Sequence, residues 1–273
     1  MSASTSYSSA GDVPVLLYHD LGIGEVHDRF RRFVVPPAVF DEHLDALAGA
    51  GYVTGSASAV HERTAERQVV LTFDDGFASF GEIAAPIMRS HGMTGAVFVP
   101  SAYIGGTSEW LASLGEDHRR ILSADDLRDL VGQGMEVGGH GDRHLALDLL
   151  DDSDVEAELR RGRDTLEQVI GVPVRSIAYP YGWHGRRVRR IARRAGYDVG
   201  FEVGDNIHRG LLRPESDRIL RVRRLVVDRT MSGEDLVNLV ARGRRSRAAQ
   251  RARCMARPGW RLVRKHSATA QGL

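Results

Sequence analysis

A chain of 273 residues with 42% apolar and 27% charged side chains has globular composition and ample material for a core, which excludes wholesale disorder and a collagen-like architecture. Its one cysteine, Cys254, leaves no intrachain disulfide and no cysteine-based zinc site. No apolar run approaches the ~20 residues that cross a bilayer, and the formal charge of +1 conceals a division: residues 1–235 hold 27 basic and 36 acidic side chains, residues 236–273 ten basic and none acidic.

Residues 1–11 are Ser-rich, with neither a basic residue nor an apolar stretch, and read as a disordered N-terminus, not a secretory signal. Short apolar runs then alternate with helical patterns. Val13–Tyr18, Val69–Phe73, Gly95–Val99, Met135–Gly138, Ser176–Tyr179, Asp198–Phe201 and Leu225–Val227 predict seven buried strands. Near-continuous apolar character, in place of alternation, is what a parallel sheet covered on both faces requires. Phe40, Leu44, Leu47 and Ala48 mark one face of a helix, and Ser123–Asp126, Ser153–Glu156 and Ser232–Asp235 carry the capping-box spacing of helix starts. Strand then helix, repeated about seven times, argues for an α/β barrel or a doubly wound sheet within one catalytic domain over residues 12–240.

Residues 241–273 form an Arg-rich tail. Ala248, Ala252 and Met255 have helical spacing among Arg244, Arg245, Arg247, Arg251 and Arg253, before Pro258-Gly259 and Trp260. Such a stretch can lie on an anionic membrane surface, contact nucleic acid, or be a solvated end.

Three strand ends carry chemistry. Thr72-Phe73-Asp74-Asp75-Gly76 follows the second apolar run and sets two carboxylates side by side. Like charges at that spacing raise each other's pKa unless a cation is present, although Asp-Asp-Gly alone is also an ordinary turn. His140-Gly-Asp-Arg-His144 follows the fourth run, and two imidazoles four apart suit one divalent ion. In barrels, chemistry collects at the C-terminal ends of strands, so both motifs would converge on one rim. Two His and one Asp would leave positions open on zinc, as in a catalytic site. Ala178-Tyr-Pro-Tyr-Gly182 follows the fifth run, and its turn could aim the Tyr181 N–H as an oxyanion donor.

In this order and spacing the three motifs resemble the polysaccharide deacetylase family (carbohydrate esterase family 4, the NodB-homology domain). The resemblance runs from Val13 to Val240 and takes in Gly95–Val99 and Tyr103-Ile-Gly105. It implies a distorted (β/α) barrel of about seven strands and a metal-dependent N-deacetylase, with Asp74 as base and Asp75, His140 and His144 as ligands of a divalent metal, Zn2+ being expected.

The chain departs from the family pattern in three places. Gly141 stands where a Ser or Thr hydroxyl usually helps to fix the His loop, and Ala178 stands where an Arg usually precedes the Pro. The late Leu-x-Leu-His-Asp motif that supplies the catalytic acid is absent, while Leu16-Leu-Tyr-His-Asp20 occurs on the first strand. That order is similar to a circularly permuted branch that includes poly-N-acetylglucosamine deacetylases, and it implies His19 as the acid. Arg224 is the candidate for the missing arginine, with Arg221 and Arg223 in competition. Trp110, Trp183 and Tyr181 are candidate sugar-stacking surfaces. His184 and His208 could rival His19, whereas His27, His43, His61, His91 and His118 lie in polar stretches expected to be exposed.

The expected substrate is an N-acetylated saccharide of the N-acetylglucosamine type. The alternatives are a non-sugar amide, an O-acetyl ester, or a catalytically inactive glycan-binding barrel. The expected location is cytoplasmic, with the tail at the inner face of the membrane and no nucleic acid as partner.

Overall fold

All seven apolar runs form strands in the computed structural model, which describes residues 13–204 and 212–242. The N-terminus expected to be disordered, His208 and the Arg-rich tail beyond Arg242 lie outside the described residues. The strands are β1 (Val15–Tyr18), β2 (Gln68–Phe73), β3 (Ala96–Val99), β4 (Glu136–Gly139), β5 (Ser176–Ala178), β6 (Val199–Gly204) and β7 (Val222–Val226). Each pairs in parallel with the next, and β1 pairs with both β2 (Leu16 opposite Leu71) and β7 (Leu16 opposite Leu225). A seven-stranded barrel is thereby closed in sequence order.

Alternation within the strands separates two cores. Val15, Val70, Ala96, Phe98, Ala178, Val199, Phe201 and Val222 pack together inside the barrel. Leu16, Tyr18, Leu71, Phe73, Val97, Val99, Ile177 and Leu225 belong to a second cluster shared with the helices. Both faces of each strand are buried, which is why the runs read as continuously apolar. Around the strands lie α1 (Pro37–Gly49), α2 (Ala85–Ser90), α3 (Ala124–Gly132), α4 (Asp152–Ile170), α5 (Arg186–Arg194) and α6 (Gly233–Arg242).

Several expectations are corrected. β7 begins at Val222, three residues before the predicted start. Two parallel two-residue pairings, Asp20–Leu21 with Val34–Val35 and Val53–Thr54 with the start of β2, are too short to leave a periodic signal. Ser123 caps α3 in a full capping box and Ser232 exchanges the same reciprocal bonds with Asp235, but α4 is capped by Asp151, whose carboxylate accepts from Asp154 N–H. In α1 the buried face is Phe40, His43, Leu44 and Leu47, and Ala48 is exposed. His43 is therefore a buried core residue: one ring nitrogen meets the Tyr18 hydroxyl at 3.2 Å and the other the Met231 carbonyl at 2.9 Å.

Candidate active site

The catalytic candidates gather at the C-terminal ends of the barrel strands. Asp74 and Asp75 follow β2, His140 and His144 follow β4, the Pro180–Gly182 turn follows β5, and His19 follows β1. Sharp turns at the rim require left-handed backbone. Asp75 (φ 74°), His144 (φ 57°) and Tyr181 (φ 60°) are the non-glycine residues with positive φ among the described residues, and all three belong to this site. Each such residue costs about 1–3 kcal/mol and persists where its surroundings over-determine it. After Asp75 the turn continues through Gly76 (φ +66°), where a Cβ would meet Val99 atoms at 3.0–3.3 Å, so glycine is required.

The turn at Asp75 carries its carboxylate to the two imidazoles. Asp75 Oδ1 lies 3.4 Å from His140 Nε2 and 3.2 Å from His144 Nε2, and all three side chains are buried. His140 Nδ1 lies 2.8 Å from the Ala178 carbonyl and donates to it. In the neutral ring this leaves the Nε2 lone pair facing a carboxylate oxygen, acceptor against acceptor, a conflict that a cation or an added proton relieves. The ligand atoms of the trio lie within 4.8 Å of one another. The two nitrogen–oxygen separations match the ~3.4 Å edge of a tetrahedron with bonds of ~2.1 Å, and a His2Asp donor set suits zinc. The residues thus fit a divalent metal.

Electrostatics around the trio agree. Burial pushes the Asp75 carboxyl up, but the His140 and His144 imidazoles facing it, in their protonated forms, outweigh that and hold the group well below the carboxylate range. Burial lowers the His140 pKa, yet the charges of Asp74 and Asp75 bring it above the ordinary value, whereas burial keeps His144 below it. Trp110 stacks on His144 at 5.0 Å and the Tyr181 ring meets it edge-on at 4.7 Å. Trp110 also packs on Tyr103 and Phe77, so part of its role is structural.

Asp74 points to the other side. Both of its oxygens accept from Arg224, at 2.6 and 2.7 Å, and Arg224 is fully buried in the barrel interior beside Phe98 and Phe201. Burial raises the Asp74 pKa, but the Arg224 charge and hydrogen bonds, with help from His140 and His19, keep the group ionised and below its usual value. Alternation along β7 turns Val222 and Arg224 inward and Arg223 outward, and Arg221 precedes the strand; Arg223 and Arg221 approach Glu202 at 3.1 and 3.8 Å.

His19 leaves β1 beside both neighbours of the site, and the Asp74 N–H donates to the carbonyl of the preceding Tyr18. The ring packs against Phe33 at 4.6 Å, and its Nδ1 is buried without a partner while the residue as a whole stays partly exposed. Burial lowers its pKa, opposed by the charges of Asp75 and Asp74. His184 instead pairs with Glu202 at 2.9 Å and with Arg189, and its ring packs on Tyr179. In the Pro180–Gly182 turn the closing bonds run from Gly182 N–H to the Tyr179 carbonyl and from Trp183 N–H to the Pro180 carbonyl, so neither uses the Tyr181 N–H. The Tyr181 ring is half-exposed and stacks on Trp183 at 5.2 Å. These two rings form an aromatic ledge beside the imidazoles.

Sequence reading missed the residues that hold the His140–His144 loop. Ser101 Oγ donates to Asp142 Oδ1 at 2.6 Å, and the buried Glu158 accepts from the Asp142 and Arg143 amides. Glu158 lies in an ordinary charged helix pattern, which carries no signal for such a role.

The sequence model of the polysaccharide deacetylase family matches residues 61–200, just over half of the 273-residue chain, and the chain belongs to that family. Among individual proteins it is similar to YxkH of Bacillus subtilis, with 23% identity over 194 residues covering 69% of this chain and 63% of YxkH. The chain thus spans less than two thirds of the length of that curated relative. In fold it is similar to the Streptococcus pyogenes deacetylase PplD in complex with acetate, with a TM-score of 0.72, 23% identity, and coverage of 84% of this chain and 98% of PplD. It is also similar to IcaB from Ammonifex degensii, with a TM-score of 0.68, 21% identity, and coverage of 85% and 97%.

Proposed function

We propose that this protein is a metal-dependent hydrolase that removes N-acetyl groups from an N-acetylated saccharide of the N-acetylglucosamine type. Family membership supports sugar deacetylation. The observation that carries the reading is the convergence of both Nε2 atoms on Asp75 Oδ1, next to a carboxylate held by a separate arginine. A divalent ion at Asp75, His140 and His144, with Zn2+ favoured by the donor set, would supply Lewis acidity to polarise the acetyl carbonyl and acidify water.

The remaining work falls to the chain's own groups. Asp74, kept ionised and oriented by Arg224, accepts the proton of the attacking water. The Tyr181 N–H donates to the oxygen that becomes an oxyanion. An amine leaves poorly unless protonated, so His19 enters as imidazolium and donates to the sugar nitrogen. Asp74 and His19 act in opposite protonation states, and activity should therefore fall at both acid and alkaline pH. Tyr181 and Trp183 offer the sugar a stacking surface.

The test is acetate and amine release from N-acetylglucosamine oligosaccharides of several lengths, with zinc and with a chelator. Chelator-sensitive release of both products supports the reading. Acetate release from O-acetyl esters alone, or no release by a zinc-loaded protein, rejects it. A cytoplasmic location with the Arg-rich tail at the inner membrane face is part of the proposal. It is supported by the ten basic and no acidic residues of 236–273, and is tested by co-sedimentation of the full chain and of the chain ending at Arg242 with anionic vesicles.

A further inference from the structure

The His140–His144 loop has Gly141 where the family pattern leads one to expect a hydroxyl, yet it holds His144 in a left-handed conformation. We propose that Glu158 is the positioning residue that takes over this task, presenting its carboxylate from α4 to the loop between the two imidazoles. The inference rests on the reading of His140 and His144 as metal ligands.

Glu158 has a side chain only 1% exposed, and a carboxylate is not buried without compensation. Its compensation comes entirely from the loop. Oε2 accepts from the consecutive amides of Asp142 and Arg143, at 3.2 and 2.9 Å, and Oε1 accepts from Arg143 Nε at 2.7 Å. Two successive N–H groups aimed at one oxygen require the backbone to curl around it, the concave anion-binding turn known as a nest. Gly141, with φ +73°, begins that curl.

The helix is shaped for the loop in a second way. One turn after Glu158, a Cβ on Gly162 would lie 2.7 Å from the Gly141 carbonyl oxygen and 2.8 Å from its carbon, so the loop rests directly on the helix backbone. Arg161, between them, reaches Asp142 Oδ2 at 3.3 Å. From the opposite side Ser101 Oγ holds Asp142 Oδ1, and the Ala102 amide holds its carbonyl. The ligand loop is therefore clamped between α4 and the segment after β3, with the buried Glu158 carboxylate on the helix side. Without Glu158 the curl loses its centre, and His144 is free to leave a backbone conformation that a non-glycine residue adopts only under constraint.

The test titrates zinc alone into metal-free full-length protein, in competition with a chromophoric chelator, and records the melting temperature of each metal-free form. Asp75→Ala should bind no zinc. Glu158→Ala should weaken zinc binding by about 10–100-fold, the usual effect of removing a group that orients a ligand. Glu158→Gln, whose amide oxygen can still accept the two loop N–H groups, should fall between Glu158→Ala and wild type. Arg143→Gln, which spares those backbone bonds, should stay near wild type. A purely structural role would lower the melting temperature and leave the zinc affinity of the folded protein unmoved. Equal zinc affinity of wild type and both Glu158 variants, with Asp75→Ala inert, overturns the inference and leaves the metal site standing. Should Glu158→Ala not fold, the comparison of Glu158→Gln with wild type decides. A wild-type protein that binds no zinc overturns the metal-site reading itself.

Discussion

Arg224 and Asp74 are 150 residues apart in sequence and share a two-pronged ion pair inside the barrel, Nη1 to Oδ1 at 2.6 Å and Nη2 to Oδ2 at 2.7 Å. Closure of the barrel makes this contact available, since β1 pairs with both β2, which ends before Asp74, and β7, which carries Arg224. Arg224 Nη1 also reaches Thr72 Oγ1, which in turn donates to the Leu16 carbonyl. The carboxylate is fixed in rotation as well as in charge.

Removing one partner of a buried ion pair strands the other. Arg224→Ala should therefore cost about 3–5 kcal/mol of stability and at least about 10²-fold in turnover, because Asp74 loses both its orientation and its depressed pKa. Arg224→Lys keeps a charge but not the bidentate geometry, and should fall between the two. Chemical denaturation and steady-state deacetylation read these effects separately. An Arg224→Ala enzyme with wild-type turnover would remove the arginine from the mechanism.

The two adjacent aspartates should separate by function. Asp75→Ala should abolish both zinc binding and activity, since the carboxylate joins the two imidazoles. Asp74→Asn should keep stoichiometric zinc and lose about 10²-fold or more in turnover. Metal analysis of the purified variants beside their kinetics checks the division. Zinc lost equally from both would merge the two roles.

His19 is assigned the leaving-group proton, and this has a chemical signature. His19→Gln should lose about 10²-fold or more on an N-acetylated sugar, where the amine needs protonation. The same variant should retain most of its activity on an aryl acetate, whose phenolate leaves without a proton. Parallel rates on the two substrates settle the matter, and equal losses on both would assign His19 to something other than proton donation.

The barrel was legible because its strands are buried on both faces, and the site because its residues sit in short motifs at strand ends. Where signals were weaker, the physical reasons differ. Arg224 could not be told from Arg221 and Arg223 in sequence, since an inward-facing charge looks like an outward-facing one until the strand start at Val222 sets the alternation. His43 was hidden by its neighbours: Asp41 and Glu42 are exposed, but helix geometry turns the next residue inward. Glu158 sits on a polar helix and is buried by a loop from elsewhere in the chain. The α4 cap was misplaced because Asp151 precedes Ser153 and offers a carboxylate of its own, to which the serine hydroxyl donates. A contact from outside the local pattern decided Glu158, whereas the cap of α4 was settled between near neighbours in sequence.

His43 gives a prediction that depends on folding alone. Its Nε2–H donates to the Met231 carbonyl, which leaves Nδ1 to accept from the Tyr18 hydroxyl, so the neutral ring is fully satisfied in the core. Burial lowers its pKa from the ordinary 6.5, and the Met231 carbonyl and the charges of Glu42 and Asp228 oppose that shift only in part. A group whose pKa is depressed on folding binds more protons in the unfolded chain, so stability rises with pH through that window. The contribution is complete above pH 6.5 and is lost as pH falls below it towards the folded-state value. His43→Gln retains a donor for Met231 but does not titrate. Urea unfolding at pH 7.5 and pH 5 should show a larger loss of stability on acidification for wild type than for this variant. A difference between the two proteins that stays constant with pH would mean that His43 enters the folded core without a shifted pKa.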